Sequence, residues 1–152
     1  MREVAVDLEP ARGGAFAQAL MAAGFATAGG APWARVVEAL DVPFEEVTGL
    51  VDWVLAGGVL AICGGTGPLL ALLNLTLGDS PVEGPVEPSA PGAPSLQLSS
   101  AWPVTGVGYA VYRAGELCVA LAGRRGNGWV VYALDPVLLA ACLSWVASRG
   151  RP

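Results

Sequence analysis

Apolar residues recur at helical spacing in two neighbouring stretches between Pro32 and Leu60. Each stretch places four apolar residues at i, i+3, i+4 and i+7: Trp33, Val36, Val37 and Leu40, then Val47, Leu50, Val51 and Val54. Pro43 lies between the two stretches and should end the first helix, because proline disfavours helical geometry at the residue before it. Gly57-Gly58 ends the second stretch. The pattern predicts two amphipathic helices joined by a tight turn.

Further elements are predicted on both sides of this pair. Residues 14–27 are rich in alanine and free of charge, and their spacing predicts a helix. Two apolar runs, 59–63 and 69–77, bracket a Gly-Gly-Thr-Gly-Pro loop and predict the two strands of a hairpin.

Helix, helix and hairpin in this order resemble the winged helix-turn-helix domains of bacterial regulators, over about residues 14–79. The segment also resembles the N-terminal dimerisation domains of small-molecule O-methyltransferases, whose wing ends in a step similar to Leu75-Thr76. The first resemblance implies DNA binding through the second helix, and the second implies dimerisation. We expect no methyltransferase activity, because the rest of the chain is too short for a cofactor-binding domain.

The remainder of the chain predicts a linker and a second unit. Residues 79–95 hold five prolines and few bulky apolar groups, which is typical of an extended linker. Strands are predicted at 107–112, 117–121 and 129–134, followed by a helix that Asp135 caps and Pro136 opens. The predicted fold class is α+β, with a winged-helix-like unit at 1–79, a Pro-rich linker at 80–95 and a β-β-β-α unit at 96–152.

The predicted C-terminal helix is apolar on every side. Because a sheet shields only one face of a helix, we expect its second face to contact either the winged-helix-like unit or another subunit. Tryptophan is also enriched at protein interfaces. The candidate interface residues are Trp53, Trp102, Trp129, Leu139, Leu143 and Val146.

The charge distribution argues against DNA binding through the second helix. Duplex DNA is bound mainly by Lys and Arg that neutralise phosphates. Residues 1–79 contain three arginines and nine acidic residues, and the exposed positions of residues 44–56 include Glu45 and Asp52. Nucleic acid is therefore an unfavoured partner for this segment, whereas Arg124 and Arg125 are candidate anion contacts in the other half.

The residue types present exclude several classes of chemistry. The chain of 152 residues has a net charge of −5 and no histidine, which excludes Ser-His-Asp triads and His-ligated metals. Its three cysteines are widely spaced, so buried thiols are expected rather than disulfides. No catalytic, cofactor-binding or metal-binding residue is predicted, and the chain is predicted not to be an enzyme.

Hydropathy leaves a membrane location open as an alternative. Apolar residues make up 54% of the chain, and residues 53–78 carry no charge, which is long enough to span a bilayer. The glycines and proline within that run would break a helix in lipid, and no arginine cluster flanks it. The expected location is cytoplasmic.

These observations predict a non-enzymatic protein-interaction module that acts in a homodimer or a larger protein assembly. One alternative is a DNA-binding transcriptional regulator that uses arginines of the C-terminal part. The second alternative is a small membrane-associated protein.

Overall fold

A mixed eight-stranded sheet organises the chain in a computed structural model, which describes residues 2–27 and 32–149. In the described residues the helices are α1 (Pro10–Ala22), α2 (Phe44–Leu55), α3 (Pro68–Leu72) and α4 (Pro136–Arg149), and a 3-10 turn spans Ala39–Asp41. The strands there are β1 (Glu3–Asp7), β2 (Ala26–Thr27), β3 (Ala34–Val37), β4 (Val59–Ile62), β5 (Thr76–Leu77), β6 (Val82–Glu83), β7 (Val86–Pro88), β8 (Ser100–Ala101), β9 (Val104–Thr105), β10 (Tyr109–Ala114), β11 (Leu117–Arg125) and β12 (Gly128–Tyr132).

The strand order of the main sheet is β2-β1-β3-β4-β12-β11-β10-β7. The first five strands are parallel, and β11, β10 and β7 extend the sheet as antiparallel strands. Two small pairs, β5 with β9 and β6 with β8, lie outside this sheet. All five parallel strands therefore end at one edge of the sheet, here called the carboxyl edge, and begin at the opposite amino edge.

Helices cover both faces of the sheet. One apolar cluster joins α1 and α4 to residues such as Val4, Val36 and Val131, and the other joins α2 and α3 to Leu60, Ile62 and similar residues. The central strands are buried on both sides, as the parallel strands of α/β proteins usually are. The architecture is therefore α/β with helices on two faces.

The predicted winged-helix-like unit and the α+β class are wrong. The segment predicted as the first helix forms β3, and Ala34, Val36 and Val37 are buried there. A strand buried on both faces is apolar at nearly every position. The helical spacing of Trp33, Val36, Val37 and Leu40 is therefore a coincidence. The second predicted helix is present as α2, but it packs on a sheet and has no partner helix from residues 32–42.

The predicted hairpin is also wrong. Its first strand is present as β4, but the run predicted as the second strand forms α3 and then β5. Pro68 begins α3, where its missing N–H costs no hydrogen bond. Strand β4 instead lies between β3 and β12, both parallel to it, with Val130 of β12 opposite Leu60.

The predicted division at 1–79, 80–95 and 96–152 does not follow the sheet. Strand β12 from the last segment lies beside β4 from the first, and α1 packs against α4. The Pro-rich segment contains β6 and β7, and β7 pairs with β10. All three segments therefore contribute to one layered structure.

The secondary structure predicted for the C-terminal part agrees closely with the structure. Three consecutive antiparallel strands precede α4, and the Asp135 carboxylate accepts hydrogen bonds from the N–H groups of Val137 (2.9 Å) and Leu138 (3.2 Å). The second face of α4 lies against α1 of the same chain.

The uncharged run at 53–78 is divided among several short elements. It contains the end of α2, then β4, α3 and β5. Within residues 2–27 and 32–149, no helix has the length and apolar character needed to cross a bilayer.

Candidate functional site

A crevice opens at the carboxyl edge between β1 and β3. Helix α1 follows β1 on one face of the sheet, whereas α2 follows β3 on the other face. The loops after these two strands therefore diverge. In open α/β sheets, ligands bind at such a point, outside the carboxyl ends of the strands.

Three side chains from three elements meet in this crevice. Arg12 lies in the first turn of α1, Glu38 follows β3, and Cys63 follows β4. The Arg12 guanidinium is 3.5 Å from a Glu38 carboxylate oxygen and 3.9 Å from the Cys63 sulfur. The Cys63 thiol lies 3.4 Å from the carbonyl oxygen of Val37 and 3.9 Å from Glu38 Oε2. The cluster is therefore an ion pair lying over a buried thiol.

Gly64 makes room for the Glu38 carboxylate. A Cβ atom at position 64 would overlap the carboxylate oxygens of Glu38, so any larger residue would displace that side chain. The Glu38 side chain is only 13% exposed, and Arg12 is its charged partner. Glycine at this position therefore lets the carboxylate fill space directly above the end of β4.

The Cys63 thiol is a weak candidate for a nucleophile. Burial, together with the nearby Glu38 carboxylate, raises its pKa to about 12, because the Arg12 guanidinium opposes these two effects only incompletely. A thiolate is the nucleophilic form of cysteine, and catalytic cysteines have lowered pKa values. At neutral pH Cys63 is therefore protonated.

A cleft of about 480 Å³ lies beside this cluster. Its lining includes Arg12, Cys63, Trp102 and Asp135. Since Asp135 already caps α4, its carboxylate is partly engaged by backbone N–H groups. Within the part of the chain that the structure describes, no three His, Cys, Asp or Glu side chains are grouped so as to hold a metal ion.

The three tryptophans predicted at an interface occupy separate places. Trp53 is half-buried on α2, with the Arg35 guanidinium 5.9 Å from its ring centre. Trp102 is half-buried beside the 480 Å³ cleft. Trp129 is buried and makes an edge-to-face contact with Trp145, with ring centres 5.9 Å apart. These three side chains do not form one surface.

The predicted interface residues of α4 lie inside the chain. Leu139, Leu143 and Val146 are fully buried in the cluster that α4 forms with the sheet and α1. Their side chains are therefore covered by other parts of the same chain.

The predicted anion contacts have different surroundings. The Arg124 guanidinium is exposed and lies 5.5 Å from the centre of the Trp129 ring. The Arg125 guanidinium donates hydrogen bonds to the carbonyl oxygens of Leu73 (3.3 Å) and Arg124 (3.0 Å), and burial lowers its pKa. Arg125 is therefore held by backbone groups, whereas Arg124 is free to contact an anion.

Sequence reasoning missed the cluster of Arg12, Glu38 and Cys63. Cys63 was correctly expected to be a buried thiol, but its two charged neighbours come from other segments of the chain. The Gly64-Gly65 pair directly after a buried strand was the available signal, because glycines there allow another chain segment to approach closely.

Comparison with known proteins shows similarity of fold alone. No family model matches the chain, and no curated protein matches it. Among solved structures, the β-galactosidase from Rahnella sp. R3 has a TM-score of 0.65 and 13% identity, over 97% of this chain and 31% of that chain. Two cytoplasmic proteins of Salmonella typhimurium are similar over nearly their whole length: STM1381 (TM-score 0.63, 14% identity, 100% of both chains) and STM3548 (TM-score 0.64, 10% identity, 97% of this chain and 98% of that chain).

These likenesses agree with the mixed sheet and overturn the winged-helix resemblance. The chain spans about a third of the length of the glycosidase it matches. The same architecture therefore occurs both as a separate chain and as part of a larger enzyme.

Proposed function

We propose that this chain is a non-enzymatic interaction domain that joins copies of itself into a homo-oligomer. The observation that carries the proposal is an exposed apolar pair beside the crevice: Leu40 is 68% exposed and Phe44 is 79% exposed. Both residues lie where the loop after β3 leads into α2. Large apolar side chains of this kind lose contact with water when a partner covers them, which favours association.

The chemistry of the crevice supports an interaction role over catalysis. The Cys63 thiol is protonated at neutral pH, and the Glu38 carboxylate is paired with Arg12. Glycoside hydrolysis generally needs two carboxyl groups, one to donate a proton and one to act as nucleophile or base. In this crevice Glu38 is paired with Arg12 and Asp7 is paired with Arg35, and in the neighbouring cleft Asp135 caps a helix. Asp41 and Glu46 also line the crevice, but both are exposed to solvent. That the chain is not an enzyme remains a prediction, because glycosidases are among its structural neighbours.

Light scattering over a range of protein concentrations tests the proposal. We expect the wild type to form oligomers and the double variant Leu40→Ser/Phe44→Ser to be a folded monomer. Both side chains are exposed, so the free energy of unfolding of a monomer should change little. Leu72→Ser is the matched control, because Leu72 is also exposed (55%) but lies on α3.

Two results would overturn the proposal. One is a wild type that stays monomeric at every concentration, and the other is an oligomer that the double variant leaves intact. Hydrolysis of a nitrophenyl glycoside by the wild type, abolished by Glu38→Gln, would instead support an enzyme.

A further inference from the structure

Opposite edges of the sheet carry opposite charges. At the amino edge, the arginine face consists of Arg2, Arg124 and Arg149 together with Val107 and Tyr109. At the carboxyl edge, the acidic face consists of Leu40, Asp41, Phe44, Glu45 and Glu46, and all five of these residues are exposed. Strand β10 begins at Tyr109 and α4 ends at Arg149, whereas α2 begins at Phe44, which places the two faces at opposite ends of the strands.

Aromatic rings hold the guanidinium groups of the arginine face. The Arg149 guanidinium lies 4.6 Å from the centre of the Trp145 ring, and Arg124 is similarly placed over Trp129. The two rings are in edge-to-face contact. Arg2 lies 4.8 Å from the Trp33 ring and donates a hydrogen bond to the carbonyl oxygen of Ala147, in the last turn of α4. A guanidinium stacked by its face keeps the N–H donors of its edge available.

The arginine face has no carboxylate partner among the described residues. Their two ion pairs are Arg12 with Glu38 and Arg35 with Asp7, and neither includes a member of the face. Two acidic residues belong to elements at the same edge of the sheet: Glu3, at the start of β1, and Asp52, in the last turn of α2. The face is therefore positively charged on a protein whose net charge is −5.

Each face also has an exposed apolar centre. Tyr109 is 53% exposed and Val107 is 68% exposed beside the arginines. On the acidic face, Leu40 and Phe44 lie beside Asp41, Glu45 and Glu46. Both faces thus combine apolar side chains with charges of one sign, and the signs are opposite.

We infer that the arginine face of one copy binds the acidic face of a second copy, head to tail. The inference rests on the proposed function, because it specifies how the oligomer forms. Charge complementarity favours a second copy of the chain as the partner, since its acidic face supplies three carboxylates to the three guanidinium groups of the arginine face. A nucleic acid backbone would also meet these arginines, but it offers no apolar side chains to cover Val107 and Tyr109, whereas the acidic face offers Leu40 and Phe44. A head-to-tail contact leaves one face free at each end, so it closes into a ring or extends as a filament.

Charge reversal with rescue tests the geometry. The variants Arg124→Glu/Arg149→Glu and Glu45→Arg/Glu46→Arg should each fail to self-associate, with a dissociation constant raised more than about 100-fold. An equimolar mixture of the two variants should associate again, because each contact between one variant and the other joins faces of opposite charge. Arg113→Glu is the control, since Arg113 is exposed but is bound to Ser89 and to the Glu116 carbonyl at the other end of β10. Circular dichroism checks that each variant is folded.

The results separate this inference from the proposed function. If Leu40→Ser/Phe44→Ser abolishes association but Arg124→Glu/Arg149→Glu does not, the chain still self-associates, but head-to-tail binding is refuted. Both ideas fail if the wild type is monomeric. A wild-type monomer that binds a single-stranded oligonucleotide, and loses that binding in Arg124→Glu/Arg149→Glu, would likewise overturn the inference.

Discussion

Gly128, the first residue of β12, lies where the two halves of the chain meet. A Cβ atom at this position would overlap the carbonyl oxygens of Val54 and Gly58. Both are backbone atoms, so they cannot rotate away as a flexible side chain could. The substitution Gly128→Ala must therefore push β12 away from the last turn of α2 and the start of β4.

The size of this effect follows from the contacted atoms. Overpacking a core commonly costs 1–3 kcal/mol, and contact with backbone places Gly128→Ala near the upper end, at about 3 kcal/mol. For a domain of about this length, 1 kcal/mol changes Tm by about 2–4 °C, so we expect a fall of about 6–12 °C. Gly14→Ala is the matched control. Gly14 is exposed inside α1, and an added Cβ would meet nothing within 4 Å, so alanine should stabilise the protein by about 0.5–1 kcal/mol.

Thermal and urea unfolding, followed by circular dichroism, measure both variants. The same chemical change should have opposite signs at the two positions, with similar dependence on urea concentration. If Gly128→Ala were as stable as the wild type, β12 would not lie against α2 and β4, and the strand order given above would be wrong.

Two further predictions concern pH and helix capping. Burial raises the pKa of the Cys63 thiol and of the Tyr132 hydroxyl to about 12, whereas the unfolded groups titrate near 9.0 and 10.0. The folded state therefore binds more protons above pH 9, so the free energy of unfolding should fall as pH rises from 9 towards 12; equal urea midpoints at pH 8 and pH 10.5 would contradict this. Asp135→Ala removes the cap of α4 and should lower the free energy of unfolding by about 1 kcal/mol, measured by urea unfolding; no shift in midpoint would mean that the two hydrogen bonds add nothing.

The elements that sequence predicted correctly have local signals. Helix α4 has a capping aspartate and a proline in its first turn, and the turn before β12 consists of Gly126 and Asn127. Helix α2 ends before Gly57. Each of these signals acts within a few residues of the element it defines, so no knowledge of distant contacts was needed.

The errors arose where distant contacts decide the structure. The sequence near Val36 does not indicate that this segment lies between β1 and β4. The segment is nevertheless a strand because it lies there and is buried on both faces of the sheet. Strand β12 lies between β4 and β11, so the sheet is completed by residues far apart in the chain. For the same reason the cluster at the carboxyl edge was missed, since Arg12 and Cys63 are 51 positions apart in the chain.

The charge asymmetry of the sheet has a partly local origin. Helices α2 and α4 each follow a parallel strand, so both begin at the carboxyl edge and end at the amino edge. Acids are favoured at helix N-termini and arginines at C-termini, typically by 0.3–1 kcal/mol. This preference accounts for Glu45 and Glu46 in the first turn of α2 and for Arg149 in the last turn of α4. It does not account for Arg124, which lies on strand β11 over a tryptophan ring. A substitution at Arg124 therefore tests binding to a partner without removing a stabilising charge from the end of a helix.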